Sequence, residues 1–149
     1  MNRQYTSVPD DVRYFFLPVE PKPASRPVVS RYGTGYGKPY TQFRQTGQPY
    51  ANAYTARPPI DGPVALSIEV VCTKPKTGKL MHPRGDVDNY AKGVMDILTI
   101  SGRFWTHDDA QVISLYTSKR YSDPLDPKDK AGCHIYLYEA TDLKPPRLH

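Results

Sequence analysis

Arg84-Gly85-Asp86-Val87-Asp88-Asn89-Tyr90-Ala91-Lys92 is the stretch where the chain changes from an extended to a helical pattern. If Gly85 to Val87 is extended, side-chain alternation places Asp86 and Asp88 on the same side, with their Cα atoms about 7 Å apart. A helix follows, because apolar residues recur at helical spacing and Asp88 or Asn89 can act as its N-cap. This apolar stripe comprises Val87, Ala91, Val94 and Leu98. The stretch therefore predicts a strand-to-helix junction that carries two acids.

Lys92 adds a cation to this junction. It follows Asp88 by four residues and so lies one turn along the same helix face. Two carboxylates this close disfavour each other's ionisation unless a cation compensates them, and a hard divalent metal with oxygen ligands is the usual one. The alternative is an ordinary helix cap plus a solvated acid that suits the helix dipole. Residues farther from the junction decide between the two.

The length of 149 residues suits a single domain, spanning 1–149, with its own core. An apolar fraction of 38% is low for a tightly packed protein, and 16 prolines indicate long loops. No apolar run approaches a membrane span and the N-terminus lacks a signal-peptide pattern, so we expect a cytoplasmic protein that does not bind membranes. Cys72 and Cys133 are isolated in apolar segments, which favours buried thiols over a disulfide.

The positive charge is unevenly distributed. The whole net charge of +5 lies in residues 1–60, and residues 21–60 contain no acid but many cations and tyrosines. Cations neutralise phosphates and aromatic rings stack on unpaired bases, so this segment favours DNA contact. The alternative is that its aromatics are the buried side of a weak helix between Pro39 and Ala56, interrupted near Gly47 and Pro49. The aromatics in question are Tyr40, Phe43, Tyr50 and Tyr54. The candidate DNA-contacting cations are Arg26, Arg31, Lys38 and Arg44, with Lys76, Lys79 and Arg84 from a basic loop before the acids.

Strands on either side of the junction define the remaining fold. Alternating or apolar runs predict four strands, at Tyr14–Val19, Val64–Cys72, Gln111–Lys119 and Cys133–Glu139. With one helix upstream and one starting at the junction, the order is β-α-β-α-β-β. This order predicts an α+β fold, with one mixed sheet of about four strands and the helices on one face.

A second acid pair, Asp108-Asp109, follows the predicted helix. Adjacent residues of an extended chain point to opposite sides, so one of these acids should face the first cluster while the other caps or is solvated. Asp96 lies two turns beyond Asp88 and is a reserve candidate. Zinc is disfavoured, because no Cys/His set has structural-site spacing. The catalytic part is therefore predicted to span about residues 64–139.

These residues together resemble the RusA-type Holliday junction resolvases, small homodimeric endonucleases common in phages. The resemblance rests on Asp86-Val87-Asp88-Asn89 and Lys92, a helix, and then Phe104-Trp105-Thr106-His107-Asp108-Asp109-Ala110-Gln111-Val112. It implies that Asp86, Asp88 and Asp109 bind Mg²⁺ and that Lys92 is essential for cleavage. Asp108 then becomes a supporting residue. The Tyr/Gly/Pro-rich segment from Arg31 to Pro59 departs from the family pattern.

The expected function is therefore Mg²⁺-dependent resolution of four-way branched DNA by paired nicks during recombination and repair. Mn²⁺ is expected to substitute, and no organic cofactor is expected. Mg²⁺ on carboxylates supplies the charge neutralisation and activated water that phosphodiester hydrolysis requires. A homodimer, implied by the resemblance, presents two matched sites at a fixed separation. The alternatives are a non-catalytic module that binds branched or single-stranded DNA, and a nuclease that acts on flaps or forks.

Overall fold

Two helices pack on one face of a four-stranded sheet in the computed structural model, which describes residues 11–24, 28–31, 33–35 and 37–140. In chain order the strands and helices are β1 (Arg13–Leu17), β2 (Val28–Ser30), β3 (Gly33–Gly35), α1 (Lys38–Asn52), β4 (Val64–Cys72), α2 (Val87–Ser101), a 3-10 helix (Asp109–Gln111), β5 (Val112–Tyr121) and β6 (Gly132–Glu139). The predicted α+β fold and its order of elements are confirmed. The short hairpin β2–β3 is an addition that the sequence did not indicate.

The sheet is mixed, with the strand order β1-β6-β4-β5. β4 pairs in parallel with β5 and antiparallel with β6, while β1 pairs antiparallel with β6. Because β4 and β5 are parallel and consecutive strands of this sheet, α2 is the helix of a β-α-β crossover. It starts where β4 and β5 end and runs back toward the start of both strands. The two ends of α2 therefore lie at opposite edges of the molecule.

α1 runs through Gly47 and Pro49, so the predicted interruption there is wrong. Gly47 is buried, and an added Cβ would lie 3.0 Å from Ile97 of α2 and 3.5 Å from Leu17 of β1. The glycine thus allows close packing, and this tertiary contact outweighs its weak helix propensity. The buried stripe consists of Tyr40, Phe43, Gly47 and Ala51. Packing is thereby confirmed for Tyr40 and Phe43, and Tyr54 packs partly buried against the core, whereas Tyr50 is exposed, contrary to the buried-helix alternative.

The core lies between the helices and the sheet. β4 contributes alternate residues from Val64 to Cys72, and α2 contributes the predicted Ala91, Val94 and Leu98 together with Tyr90 and Ile97. Phe104 and Trp105, just after α2, are also fully buried. Cys72 and Cys133 are free and buried, as predicted. Among the described residues, no helix is long and apolar enough to cross a membrane.

Candidate active site

The first acids lie at the start of α2, at the carboxyl ends of β4 and β5. Asp86 is the N-cap of α2, so the helix begins two residues earlier than a cap at Asp88 would require, and three earlier than a cap at Asn89. The main-chain carbonyl of Asp86 accepts from the N–H groups of Asn89 (3.1 Å) and Tyr90 (3.2 Å). Its side chain makes no capping hydrogen bond. The cap is therefore made by the backbone, which leaves the carboxylate of Asp86 available to a ligand.

Asp88 and Lys92 share the exposed face of the first turns of α2. Asp88 is already helical, so the two acids are related by a helix start and not by strand alternation. One oxygen of Asp88 accepts from the N–H of Asn89 at 3.0 Å, and the residue lies in the first turn, where the helix dipole favours a negative charge. Lys92 makes no ion pair among the described residues. An ammonium and two exposed acids thus stand together at the start of one helix.

Asp96, the reserve candidate, has a different environment. Its Oδ2 accepts a hydrogen bond from the hydroxyl of Tyr40 at 2.8 Å, in a partly buried position. This bond links α2 to α1 behind the exposed acids. Asp96 therefore helps to hold the two helices together.

Lys119 fixes the residues that lead into Asp86, which we call the acid loop (residues 83–86). The Lys119 ammonium donates to the carbonyl oxygens of Pro83 (2.8 Å) and Gly85 (2.6 Å). The rings of Pro23 and Tyr90 also pack closely against Gly85, because an added Cβ would lie 2.7 Å from each of them. The acid loop is thus held by a strand on one side and by packed rings on the other.

The sequence did not single out Lys119. One signal was present, since alternation along β5 places Lys119 on the same face as Leu115 and Thr117, which turns toward the helices. A lysine on the helix-covered face of a strand must pair its ammonium with an acceptor. The acceptors are main-chain carbonyls, which a residue pattern does not reveal.

Buried groups beneath the acid loop provide a rigid base and carry no charge. The thiol of Cys72 donates to the hydroxyl oxygen of Tyr90 at 3.8 Å. Burial raises the pKa of the Tyr90 hydroxyl and also raises the pKa of the Cys72 thiol. Both groups therefore stay protonated at neutral pH. The Cys72 thiol is unsuited to be a nucleophile.

The second acid pair lies at the start of β5. Asp108 accepts the N–H of Ala110 at 2.8 Å and so caps the 3-10 helix, as expected for one member of the pair. Asp109 is exposed. Nearby, the exposed side chains of His107 and Asp61 approach to 3.5 Å. Of the two acids, Asp108 is therefore used as a cap, and Asp109 is the one whose carboxylate is available to a ligand.

One chain does not bring Asp109 to Asp86 and Asp88. Lys119 contacts the acid loop, and it lies seven residues after Val112, about 23 Å along β5 at about 3.3 Å per residue. Asp109 precedes Val112, at the far end of the strand. Accordingly, residues 11–24, 28–31, 33–35 and 37–140 contain no group of three or more acids, histidines or cysteines placed to hold a metal ion.

The outer edge of β5 pairs with no strand of the described chain. Along it, Ile113, Leu115 and Tyr116 are 58%, 45% and 67% exposed. A long, exposed edge strand with apolar side chains is a template for pairing with another chain. This edge joins the two ends that carry the acids.

The predicted DNA-contacting cations fall into two regions. Lys76, Lys79 and Arg84 are exposed in the loop between β4 and α2. Lys38 begins α1, and the guanidinium of Arg44 lies 5.8 Å from the ring centre of Tyr40. Arg31 is exposed after β2, whereas Arg26 lies outside the described residues.

The sequence pattern of the family described as Endodeoxyribonuclease RusA matches residues 18–126. The matched range begins just after β1 and ends after β5, so it contains the acid loop, α2 and both acid pairs. No curated protein matches the chain.

Proposed function

This chain belongs to the RusA endodeoxyribonuclease family, and from that premise we propose that it is a Mg²⁺-dependent, homodimeric nuclease that resolves four-way DNA junctions by paired nicks. The observation that carries the proposal is the exposed group formed by Asp86, Asp88 and Lys92 at the start of α2. A helix cap alone would not require Lys92 or a carboxylate on Asp86 that makes no capping bond.

The donor set fits a hard divalent cation. Asp86 and Asp88 offer exposed carboxylate oxygens, and neither pairs with a cation among the residues that the structure describes. Carboxylates of this kind are the ligands that Mg²⁺ uses in phosphoryl chemistry, and Mn²⁺ is expected to substitute. When bound, the metal supplies charge neutralisation at the phosphate and an activated water. Asp86 and Asp88 are the residues of this chain that would hold it.

Lys92 acts beside these acids. Its ammonium lies one turn along the helix from Asp88 and stabilises the negative charge that develops on the phosphate oxygens. Cleavage also needs the DNA backbone to be held in place. Lys76, Lys79 and Arg84 precede the acids and suit this role, with Arg31, Lys38 and Arg44 as further contacts.

A second copy of the chain would complete the site. Asp109 lies at the opposite end of β5 from Asp86, so we propose that the third carboxylate at each site is Asp109 of the partner subunit. Antiparallel pairing of two β5 edges about a two-fold axis would bring the start of one β5 to the end of the other. The same symmetry gives two sites for two opposed nicks.

The test uses a labelled synthetic four-way junction with Mg²⁺ or with chelator. We expect symmetrical nicks with Mg²⁺ only. Asp88→Asn and Lys92→Ala should lower the cleavage rate by roughly 10²-fold or more while junction affinity changes only a few-fold. Flap and fork substrates of the same sequence serve as comparisons.

Three results would contradict the proposal. Binding without cleavage by the wild type, in Mg²⁺ and in Mn²⁺, would indicate a non-catalytic module. Faster cutting of flaps or forks than of junctions would reject the junction as substrate. Full cleavage by Asp88→Asn would reject the site.

A further inference from the structure

We propose that a cavity beside the acid loop receives one unstacked nucleobase of the strand that is cut. This inference rests on the proposed function and adds the conformation of the substrate at the same site. Its support comes from the shape of the cavity, its charges and its position.

The cavity has a volume of about 450 Å³, enough for a base and part of its sugar. Its lining includes the hydrogen-bonded pair Cys72 and Tyr90, together with Tyr121. The other lining residues come from the segment after β1, Glu20 to Pro23, and from the loop between β4 and α2, which contributes Lys79, Leu80, Pro83, Arg84 and Gly85 among others. Proline and tyrosine rings with a leucine give flat apolar surfaces, against which any base can pack by its face.

The charges around the cavity suit a nucleotide. Lys22, Lys79 and Arg84 form no ion pair within the described part of the chain. The carboxylate of Glu20 is already engaged, because its Oε2 accepts the main-chain N–H of Thr73 at 3.1 Å. These three cations thus remain available for phosphates, while the proline, tyrosine and leucine side chains of the lining are available for a base.

The position of the cavity links it to the cut. Arg84 and Gly85 line the cavity, and Asp86 follows directly in the chain. A strand whose phosphate reaches Asp86 therefore has a neighbouring nucleotide at the cavity opening. Strands at a branch point are partly unpaired, so removing one base from its stack costs less there than in a continuous duplex.

The experiment places the fluorescent base 2-aminopurine, in turn, at each nucleotide close to the branch point of a four-way junction, so that the positions are chosen independently of cleavage. Wild-type protein is added to the four-way junction in chelator, so the DNA stays intact. We expect the fluorescence to increase severalfold at one position, because 2-aminopurine brightens when it leaves the stack. An abasic nucleotide at that position should lower kcat/KM in Mg²⁺ roughly tenfold.

Leu80 and Met81 provide a matched pair of variants. Leu80 lines the cavity and is 37% exposed, whereas Met81 is 86% exposed and does not line it. Leu80→Asp should abolish the fluorescence increase, lower kcat/KM roughly tenfold and make the abasic substitution nearly silent. Met81→Asp introduces the same charge at the adjacent residue, outside the cavity, and should behave as wild type. Equal Tm values would show that both variants fold.

The outcomes separate this inference from the proposed function. If the wild type cuts junctions but no position brightens, the cavity receives no base and the nuclease proposal stands. Equal behaviour of Leu80→Asp and Met81→Asp would also overturn the inference. If the wild type cuts no DNA in Mg²⁺, the proposed function fails, and brightening in chelator would still report whether the cavity takes a base.

Discussion

At the residue scale, Lys119 carries a specific prediction. Its two hydrogen bonds to Pro83 and Gly85 hold the acid loop, so Lys119→Met should let Asp86 move. We expect kcat/KM to fall roughly 10- to 100-fold, because small displacements of positioning groups cost that much. The Mg²⁺ concentration that gives half-maximal cleavage should rise, and junction affinity should hardly change.

Two controls make this prediction specific. Lys128→Met removes an exposed lysine of the loop after β5 and should leave cleavage unchanged. Lys119→Arg keeps a cation with several donors and should restore part of the metal affinity. A Lys119→Met protein that folds with lower Tm but requires the same Mg²⁺ as wild type would show that Lys119 is only structural.

Some residues of the candidate site could be placed from the sequence and others could not. Asp86, Asp88 and Lys92 are close in sequence, so their common position could be predicted, although the helix begins before Asp88 and the two acids are not related by strand alternation. Lys119 was missed because its partners are carbonyls of a distant loop. Local patterns encode neighbours along a helix or strand, but they do not encode which loop packs over a strand.

At the element scale, the strands and α2 could be predicted because their apolar residues recur at clear spacing. α1 was harder, since Gly47 and Pro49 are poor helix formers and only the contacts of Gly47 with Ile97 and Leu17 explain its continuity. Gly93 plays the matching role in α2, where an added Cβ would lie 3.0 Å from the ring of Tyr40. Close packing between the helices thus determines whether a segment with weak helix propensity is helical.

The connection between β5 and β6 should make the stability of the folded protein depend on pH. Arg120 of β5 donates to both oxygens of Asp129 at 2.7 and 2.9 Å, and the Asp123 N–H adds a third hydrogen bond. These bonds, chiefly those from Arg120, lower the pKa of the Asp129 carboxyl to about 2. A lowered pKa stabilises the folded protein above the ordinary aspartate range, and this stabilisation is lost as pH falls toward about 2.

Asp129→Asn should therefore lower the Tm by roughly 3 °C at pH 7, and the difference should shrink as the pH is lowered from about 4 to about 2. Asp126→Asn is the control, because Asp126 lies in the same loop and its carboxylate accepts only the N–H of Lys128 in the described structure. Melting curves by circular dichroism across this range measure the effect. A difference that does not depend on pH would contradict the assignment to the carboxylate.

At the scale of the whole molecule, the position of Asp109 could not be foreseen. Sequence spacing indicated two acid pairs, but the β-α-β crossover separates them by the length of β5. If they form one metal site, two chains must meet, and the exposed edge of β5 is the surface that spans both ends.

Leu115→Lys should block pairing of two β5 edges, whereas Leu125→Lys, at a loop position that is 90% exposed, should not. Sedimentation velocity should give twice the 16.9 kDa chain mass for the wild type and for Leu125→Lys, and the single-chain mass for Leu115→Lys.

Mixed dimers test directly whether each site is shared. Asp88→Asn and Asp109→Asn should each be inactive alone. In a dimer of one chain of each kind, one shared site receives both substitutions, and the other receives the natural Asp86, Asp88 and Asp109. When the two variants are co-expressed, about half of the dimers should be mixed, and each mixed dimer should have one working site. About a quarter of all sites should therefore nick DNA. The restored product should be singly nicked junctions, because paired cuts need both sites. If all three acids acted within one chain, every mixed dimer would carry two damaged sites and the co-expressed protein would stay inactive.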